Sequence, residues 1–237
     1  MKGRGVLGWL RRGLFWLGLM TVGLSLALVL LFRWVDPPYS LVMLQRLATE
    51  GPPQSSQWVD FEAIDPAIAL AVVAAEDQRF PDHWGFDTAQ IRAAVASHLD
   101  GRPLRGASTI SQQVARNLFL WQGRSYFRKG MEVWFTLLLE GLWPKQRILE
   151  VYLNIAETGE RAFGVAEATR RYFGRSPAQI GTRRAALLAA VLPNPVRYRV
   201  DRPSAYVLQR RDWILDQMQN LGGVTYLDRL GADRSRN

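Results

Sequence analysis

The sequence predicts a mainly α-helical chain with one membrane anchor. Three observations support this: a charge-free apolar run near the N-terminus, a succession of helix-start and helix-stop signals after it, and little strand-like alternation. The run from Gly13 to Phe32 holds twenty residues without a charge. As a helix it spans about 30 Å, the thickness of a bilayer's hydrocarbon core. Lys2, Arg4, Arg11 and Arg12 precede it with no acid among them. The positive-inside rule then puts residues 1–12 in the cytoplasm and everything after the span outside, with Arg33 and Trp34 at the far interface. A cleaved signal peptide is the alternative, and Ser25-Leu26-Ala27 offers a small-x-small site. That triplet lies inside the apolar run with no polar stretch before it, so an uncleaved anchor over 13–33 is expected.

Asp36-Pro37-Pro38 and the stretch from Gly51 to Ser56 carry turn chemistry and bracket a short apolar segment, Leu41 to Leu47. Residues 34–57 are therefore expected to be a membrane-proximal linker and 58–237 the folded domain. Asp65 suits a helix cap and Pro66 a first helical position, and the Ala/Val-rich segment from Ala67 to Phe80 reads as a buried helix with Glu76 near its end. Further helices are expected at Thr88–Leu99, closed by Gly101; Thr109–Leu120, after Gly106; Tyr126–Leu142, ended before Pro144; and Lys145–Ala156. Two more follow at Pro177–Val191, stopped by Pro193, and Pro203–Leu221, closed by Gly222. The Gly- and Arg-rich stretch Asp100–Ala107 is expected to be mobile.

Composition narrows the chemistry. With no Cys and two His (His83, His98), a disulfide framework, a thiol nucleophile and a His-rich metal cage are excluded. Catalysis must use carboxylates, hydroxyls and cations. The net charge of +9 suggests a polyanionic partner, but five of the 30 basic residues lie in residues 1–33, leaving 25 cations against 21 acids. That mild excess, with no zinc-finger or RNA-recognition signature, argues against nucleic acid. No 20- to 50-residue period recurs, so repeat architectures are excluded.

Three segments concentrate reactive groups. At the end of the expected buried helix, Glu76 is followed by Asp77, Arg79, Phe80, His83 and Gly85. Apolar neighbours and the adjacent Asp77 both disfavour its ionisation, which suits a carboxylate that accepts a proton near neutral pH. A salt bridge from Glu76 to Arg79 is the plainer reading. In Gly106 to Asn117, Ser108, Gln112 and Arg116 recur every four residues and are expected to share a helix face suited to hydroxyl-rich or phosphorylated ligands; an N-capped helix with a polar outer face explains them equally. In Arg128-Lys-Gly-Met-Glu132, two cations sit three and four residues from a carboxylate. This spacing makes ordinary helical ion pairs, and it also suits a pyrophosphate or its metal ion.

Taken in order, these segments resemble the glycosyltransferase domain of the peptidoglycan polymerases, the lysozyme-like transglycosylase domain of penicillin-binding proteins. Glu76 to Gly85 resembles that family's E-D-x-x-F-x-x-H-x-G block, Gly106 to Asn117 its G-x-S-T-I-x-Q-Q-x-x-K-N block, and Arg128 to Glu132 its R-K-x-x-E block. Lys145 to Asn154 resembles K-x-x-I-L-E-x-Y-L-N, and Gly164 to Arg175 and Leu187 to Pro195 resemble its last helical blocks. The likeness runs from about Trp58 to Gln219. Arg116 departs from it, standing where the family usually has Lys. Neither Ser-x-x-Lys nor Lys-Thr-Gly occurs, so the expectation is a monofunctional enzyme without transpeptidase chemistry.

The resemblance implies a lysozyme-like helical fold and lipid II as substrate, with a β-1,4-linked glycan strand, still lipid-linked, as product. It implies catalytic roles for Glu76 as base and Glu132 behind the pyrophosphate, the latter through Mg²⁺ or Mn²⁺ or by ordering Arg128 and Lys129. Arg116 and Lys129 are the expected phosphate contacts; Ser108, Thr109, Gln112 and Gln113 are expected to position sugars or the helix, and Glu150 to pin its own helix. Leu118 to Trp121 and Trp134-Phe135 suit either the membrane interface or the core. The cell-division or elongation machinery is an expected partner. A glycan-cleaving enzyme of the same fold and a membrane-anchored scaffold are the competing functions.

Overall fold

The computed structural model describes residues 3–52, 57–99, 108–123 and 125–231, so the stretch Asp100–Ala107 and Gly106 within it lie outside the described residues. The chain divides into two compact units, Met1–Pro37 and Pro38–Asn237. The first is one helix, α1 (Gly3–Trp34). Its segment Gly8–Trp34 has 27 residues, with an 18-residue stretch of mean hydropathy 2.3 inside it, long and apolar enough to cross a membrane. The hydroxyls of Thr21 and Ser25 donate to the carbonyls of Leu17 and Val22, both at 2.8 Å, so neither enters the apolar surroundings unsatisfied.

The second unit begins earlier than the linker expectation allowed. Helix α2 (Leu41–Glu50) is capped by Ser40, whose hydroxyl accepts from the Met43 amide at 3.1 Å, and it buries Val42 and Met43. Gln45 accepts from the Gln122 amide at 2.8 Å, and Arg46 pairs with Glu157 at 3.3 Å. Residues 38–50 are thus part of the folded domain, because contacts distant in sequence outweigh the flanking Pro and Gly signals.

Helix α3 (Pro66–Glu76) starts as expected: Asp65 accepts from the Ala67 amide at 2.9 Å. Every residue from Ala67 to Ala74 is buried. The helix stops at Glu76 rather than Phe80, since Asp77 leaves helical geometry (φ −160°), and a separate 3₁₀ turn covers Phe80–Asp82. Next come α4 (Thr88–Leu99), capped by Asp87, then α5 (Ile110–Phe119), α6 (Tyr126–Leu142) and α7 (Lys145–Ile155). A small antiparallel hairpin, β1 (Glu157–Gly159) with β2 (Ala162–Phe163), leads into α8 (Gly164–Phe173). Gly164 is required there: at φ +77°, a Cβ would sit 2.6 Å from the Asn154 carbonyl oxygen.

Helix α9 (Thr182–Val191) begins five residues later than expected from Pro177. Gly181 has φ +75°, and Asp65 takes the amides of Ile180 and Gly181, both at 2.9 Å, so the preceding segment is a turn fastened to the start of α3. Helix α10 (Ala205–Asn220) and a 3₁₀ segment, Gly223–Leu230, complete the described chain. Packing pairs α3 with α9 and α10, and α5 with α6 and α7. Both α3 and α9 contribute buried alanines, among them Ala69, Ala71, Ala74, Ala186, Ala189 and Ala190. The architecture is mainly α-helical, as expected.

Candidate active site

Glu76 is the last residue of α3, at the point where a fully buried helix opens. Its Oε2 accepts from Gln113 Nε2 at 2.9 Å, while its Oε1 is buried without a hydrogen-bond partner among the described residues. Burial raises its pKa most, and the neighbouring Asp77 raises it further; the Gln113 hydrogen bond and the charges of Arg210 and Arg116 pull the other way. The alternative pairing with Arg79 is not formed: Arg79 faces Asp87 at 3.5 Å. Gln113 is itself oriented, because Tyr152 OH donates to its Oε1 at 3.3 Å, turning its amide nitrogen toward Glu76. The Tyr152 hydroxyl lies within the core, and burial raises its pKa well above the usual value, so it remains a donor.

Asp77 is a structural clamp beside the candidate base. Its Oδ1 is 2.8 Å from His83 Nε2, and its Oδ2 accepts from the Ile110 amide at 3.1 Å, joining the end of α3 to the first turn of α5. A carboxylate at a helix N-terminus satisfies an orphan amide and complements the helix dipole. Gly85 adds a close approach: a Cβ there would meet Thr136 Cγ2 at 2.5 Å and Glu140 Cγ at 3.0 Å. Behind it, Glu140 accepts from Lys145 at 2.7 Å and from Ser111, all three buried, and Lys145 stands 4.2 Å over the Phe80 ring.

The expected row on α5 divides. Ser108 precedes the helix, Thr109 is its N-cap, and Gln112 folds back to accept from the Thr109 amide at 3.0 Å in a capping box. Thr109 also donates to the Gly85 carbonyl at 2.7 Å. Thr109 and Gln112 are buried and committed to the fold, so the ligand-facing reading fails for them and passes to Gln113 and Arg116. Those two line a groove of about 370 Å³ with Asn117, Arg128, Tyr152 and Pro193. Arg116 donates to Asn117 Oδ1 at 3.3 Å and makes no ion pair among the described residues.

Glu132 is 2% exposed, with Arg128 3.3 Å from its Oε2 and Lys129 on its Oε1. Arg128 reaches into the groove and its Nε has no partner among the described residues, while Lys129 is half exposed and is not among the groove's lining residues. No group of three or more His, Asp or Glu side chains able to hold a metal occurs among the described residues. Glu132 is a lone carboxylate with both oxygens occupied. It fits a divalent ion only as one ligand of an ion already carried by phosphate oxygens.

Glu150 pairs with Arg147 of its own helix at 3.2 Å, which fits a structural role there, and the apolar segments left open between interface and core fall mostly in the core. Leu118, Leu120 and Phe135 are core residues, with Phe135 stacked on Phe119 at 4.5 Å, and Trp121 alone of that group is well exposed. Helix α6 exposes four large apolar side chains, Tyr126 (99%), Phe127 (71%), Val133 and Leu137, and others are scattered over the domain, Trp84 and Trp213 among them.

A carboxylate with a buried, unpartnered oxygen, next to a groove bearing two guanidinium groups in a mainly helical domain, is chemistry suited to taking a proton from a hydroxyl beside a bound anion. The transglycosylase family profile matches residues 43–219, and the chain belongs to that family. It is 50% identical over 230 residues to a biosynthetic peptidoglycan transglycosylase of Pseudomonas putida (strain W619), covering 95% of this chain and 96% of the relative. The same-named protein of Stutzerimonas stutzeri (strain A1501) is 50% identical, covering 92% and 90%. That of Chromohalobacter salexigens is 51% identical, covering 94% and 98%.

Proposed function

We propose that the chain polymerises lipid II into β-1,4-linked glycan by inverting transfer, with Glu76 as the base. The observation that carries this reading is the Glu76 carboxylate, raised in proton affinity by burial and holding one oxygen free beside a cationic groove. Glu76 Oε1 takes the proton from the acceptor's sugar 4-hydroxyl as that oxygen forms its bond to the donor's anomeric carbon. The bond from that carbon to the pyrophosphate oxygen breaks, and the electron pair leaves with undecaprenyl pyrophosphate. Arg116 and Arg128 meet the developing charge, and Lys129 adds a third cation from the rim. Glu132 orders Arg128 and Lys129. Ser108 meets a sugar hydroxyl in this reading, and Gln113 keeps the base in place.

When bound, Mg²⁺ or Mn²⁺ neutralises charge on the pyrophosphate, with Glu132 as its protein carboxylate. The test is polymerisation of labelled lipid II by the purified protein in detergent, with divalent ion titrated against wild type and Glu132→Gln. Glycan strands from wild type are expected, and a lower rate with an altered metal dependence from the variant. Cleavage of finished glycan without synthesis overturns the reading, and an unchanged rate and titration for Glu132→Gln leaves that residue as a partner of Arg128 only.

The apolar helix α1 fits a membrane anchor of a cell-wall enzyme. The catalytic domain then faces outward from the cytoplasmic membrane, with residues 1–12 inside, and the exposed apolar side chains of α6 suit contact with lipid. Because the chain lacks Cys, introduced thiols report topology cleanly. An impermeant label is expected to react with Cys placed after Trp34 and not with Cys at Arg4. Labelling at position 4 from outside reverses the orientation.

A further inference from the structure

The C-terminal end of α3 leaves carbonyls that the helix cannot satisfy. The Val73 carbonyl accepts from the Asp77 amide at 2.9 Å and that of Ala74 from Gln78 Nε2 at 3.2 Å. The Ala75 carbonyl, one residue before the base, is met from α10: Arg210 Nη2 approaches it at 3.4 Å. The guanidinium lies 5.8 Å from the Trp213 ring centroid, and its Nε is buried with no partner among the described residues. Two further bonds hold the same junction. Gln78 also donates to Gln217 of α10 at 3.3 Å, and Tyr226 donates to the Gln78 carbonyl at 2.7 Å.

We infer that Arg210 is a positioning residue for the reaction, holding the helix end that carries Glu76 and setting the electrostatic environment of its carboxylate. The inference rests on reading Glu76 as the base. The charged and titratable groups that face Glu76 are Asp77 on its own segment, Arg116 on α5, Tyr152 on α7 and Arg210 on α10. Burial and Asp77 favour the protonated form, while Arg116 and Arg210 favour the ionised one. Arg116 lines the groove and is available to an anionic substrate, whereas Arg210 faces a helix end. Once the substrate's phosphate engages Arg116, Arg210 is the cation left to keep Glu76 ionised.

The test is the pH dependence of polymerisation by full-length Arg210→Met and Arg210→Lys, with thermal unfolding of each as a check on folding. Arg210→Met is expected to lose about ten- to hundredfold at neutral pH, the scale of misplacing a reacting group. Its acidic limb is expected to move to higher pH, so that part of the loss is recovered in alkaline buffer. Arg210→Lys, which keeps the charge, is expected to restore the position of the limb. An acidic limb unmoved in Arg210→Met overturns the inference, as does an Arg210→Lys enzyme as impaired as the Met variant while unfolding at the wild-type temperature. If Arg210→Met does not fold, Arg210→Lys and Arg210→Gln carry the same comparison. Failure of the underlying reading is distinguishable: Glu76→Gln would then polymerise, whatever Arg210 does.

Discussion

Glu76→Gln is expected to abolish polymerisation, by about 10² to 10⁴-fold, while leaving the fold and lipid II binding intact. The amide is nearly isosteric and still accepts from Gln113, but it cannot take the acceptor's proton. The wild-type enzyme is expected to lose activity on acidification at a pH above the ordinary glutamate range, because burial holds the Glu76 proton more tightly than water does. The same shift predicts the effect on stability. A carboxyl whose folded pKa lies above its unfolded value binds more protons when folded, so it destabilises the fold increasingly as pH rises from the unfolded pKa through the folded one. Glu76→Gln should therefore unfold at the same or a higher temperature than wild type at pH 8, and at the same temperature in acid. Near-wild-type turnover by this variant would remove Glu76 as the base.

Arg116→Ala is expected to lose about 2–5 kcal/mol of transition-state stabilisation, the range for removing one partner of a desolvated charge pair, with a moderate loss of donor affinity. The expectation follows from Arg116 lining the groove with no ion pair among the described residues. A surface pair would be worth about 0.5 kcal/mol or less. Arg116→Lys is expected to keep most activity, since the ammonium carries the charge and gives up only the second parallel hydrogen bond. Steady-state kinetics on both variants separate the cases, and an Ala variant within twofold of wild type takes Arg116 out of the site.

Much of the helical layout was legible because its punctuation is local. Asp65-Pro66 opens α3, and Pro144 separates α6 from α7. Errors arose where a distant partner decides. Helix α2 looked like linker because Arg46 and Glu157, 111 positions apart, give no joint signal. Of the adjacent amides Gln112 and Gln113, four-residue spacing selected the first. The capping box with Thr109 uses that one, and the register of the second reaches Glu76. Tyr152 and Arg210 could not be connected to Glu76 by spacing, because α7 and α10 bring them in only after folding. Tyr152, flanked by Val151 and Leu153, was the one available hint, since a buried hydroxyl requires a partner.

Helix α3 has consequences for how such a sequence changes over generations. A helix buried at every position from Ala67 to Ala74 has no solvent side on which substitutions can accumulate neutrally. Where α9 packs on it with alanines of its own, one added methyl or isopropyl group has no space to occupy. Overpacking of this kind costs about 1–3 kcal/mol, so drift is diverted to the outer faces of α4, α6 and α10. Glu76 therefore stands at the end of a segment that the protein's surface can diverge around without displacing.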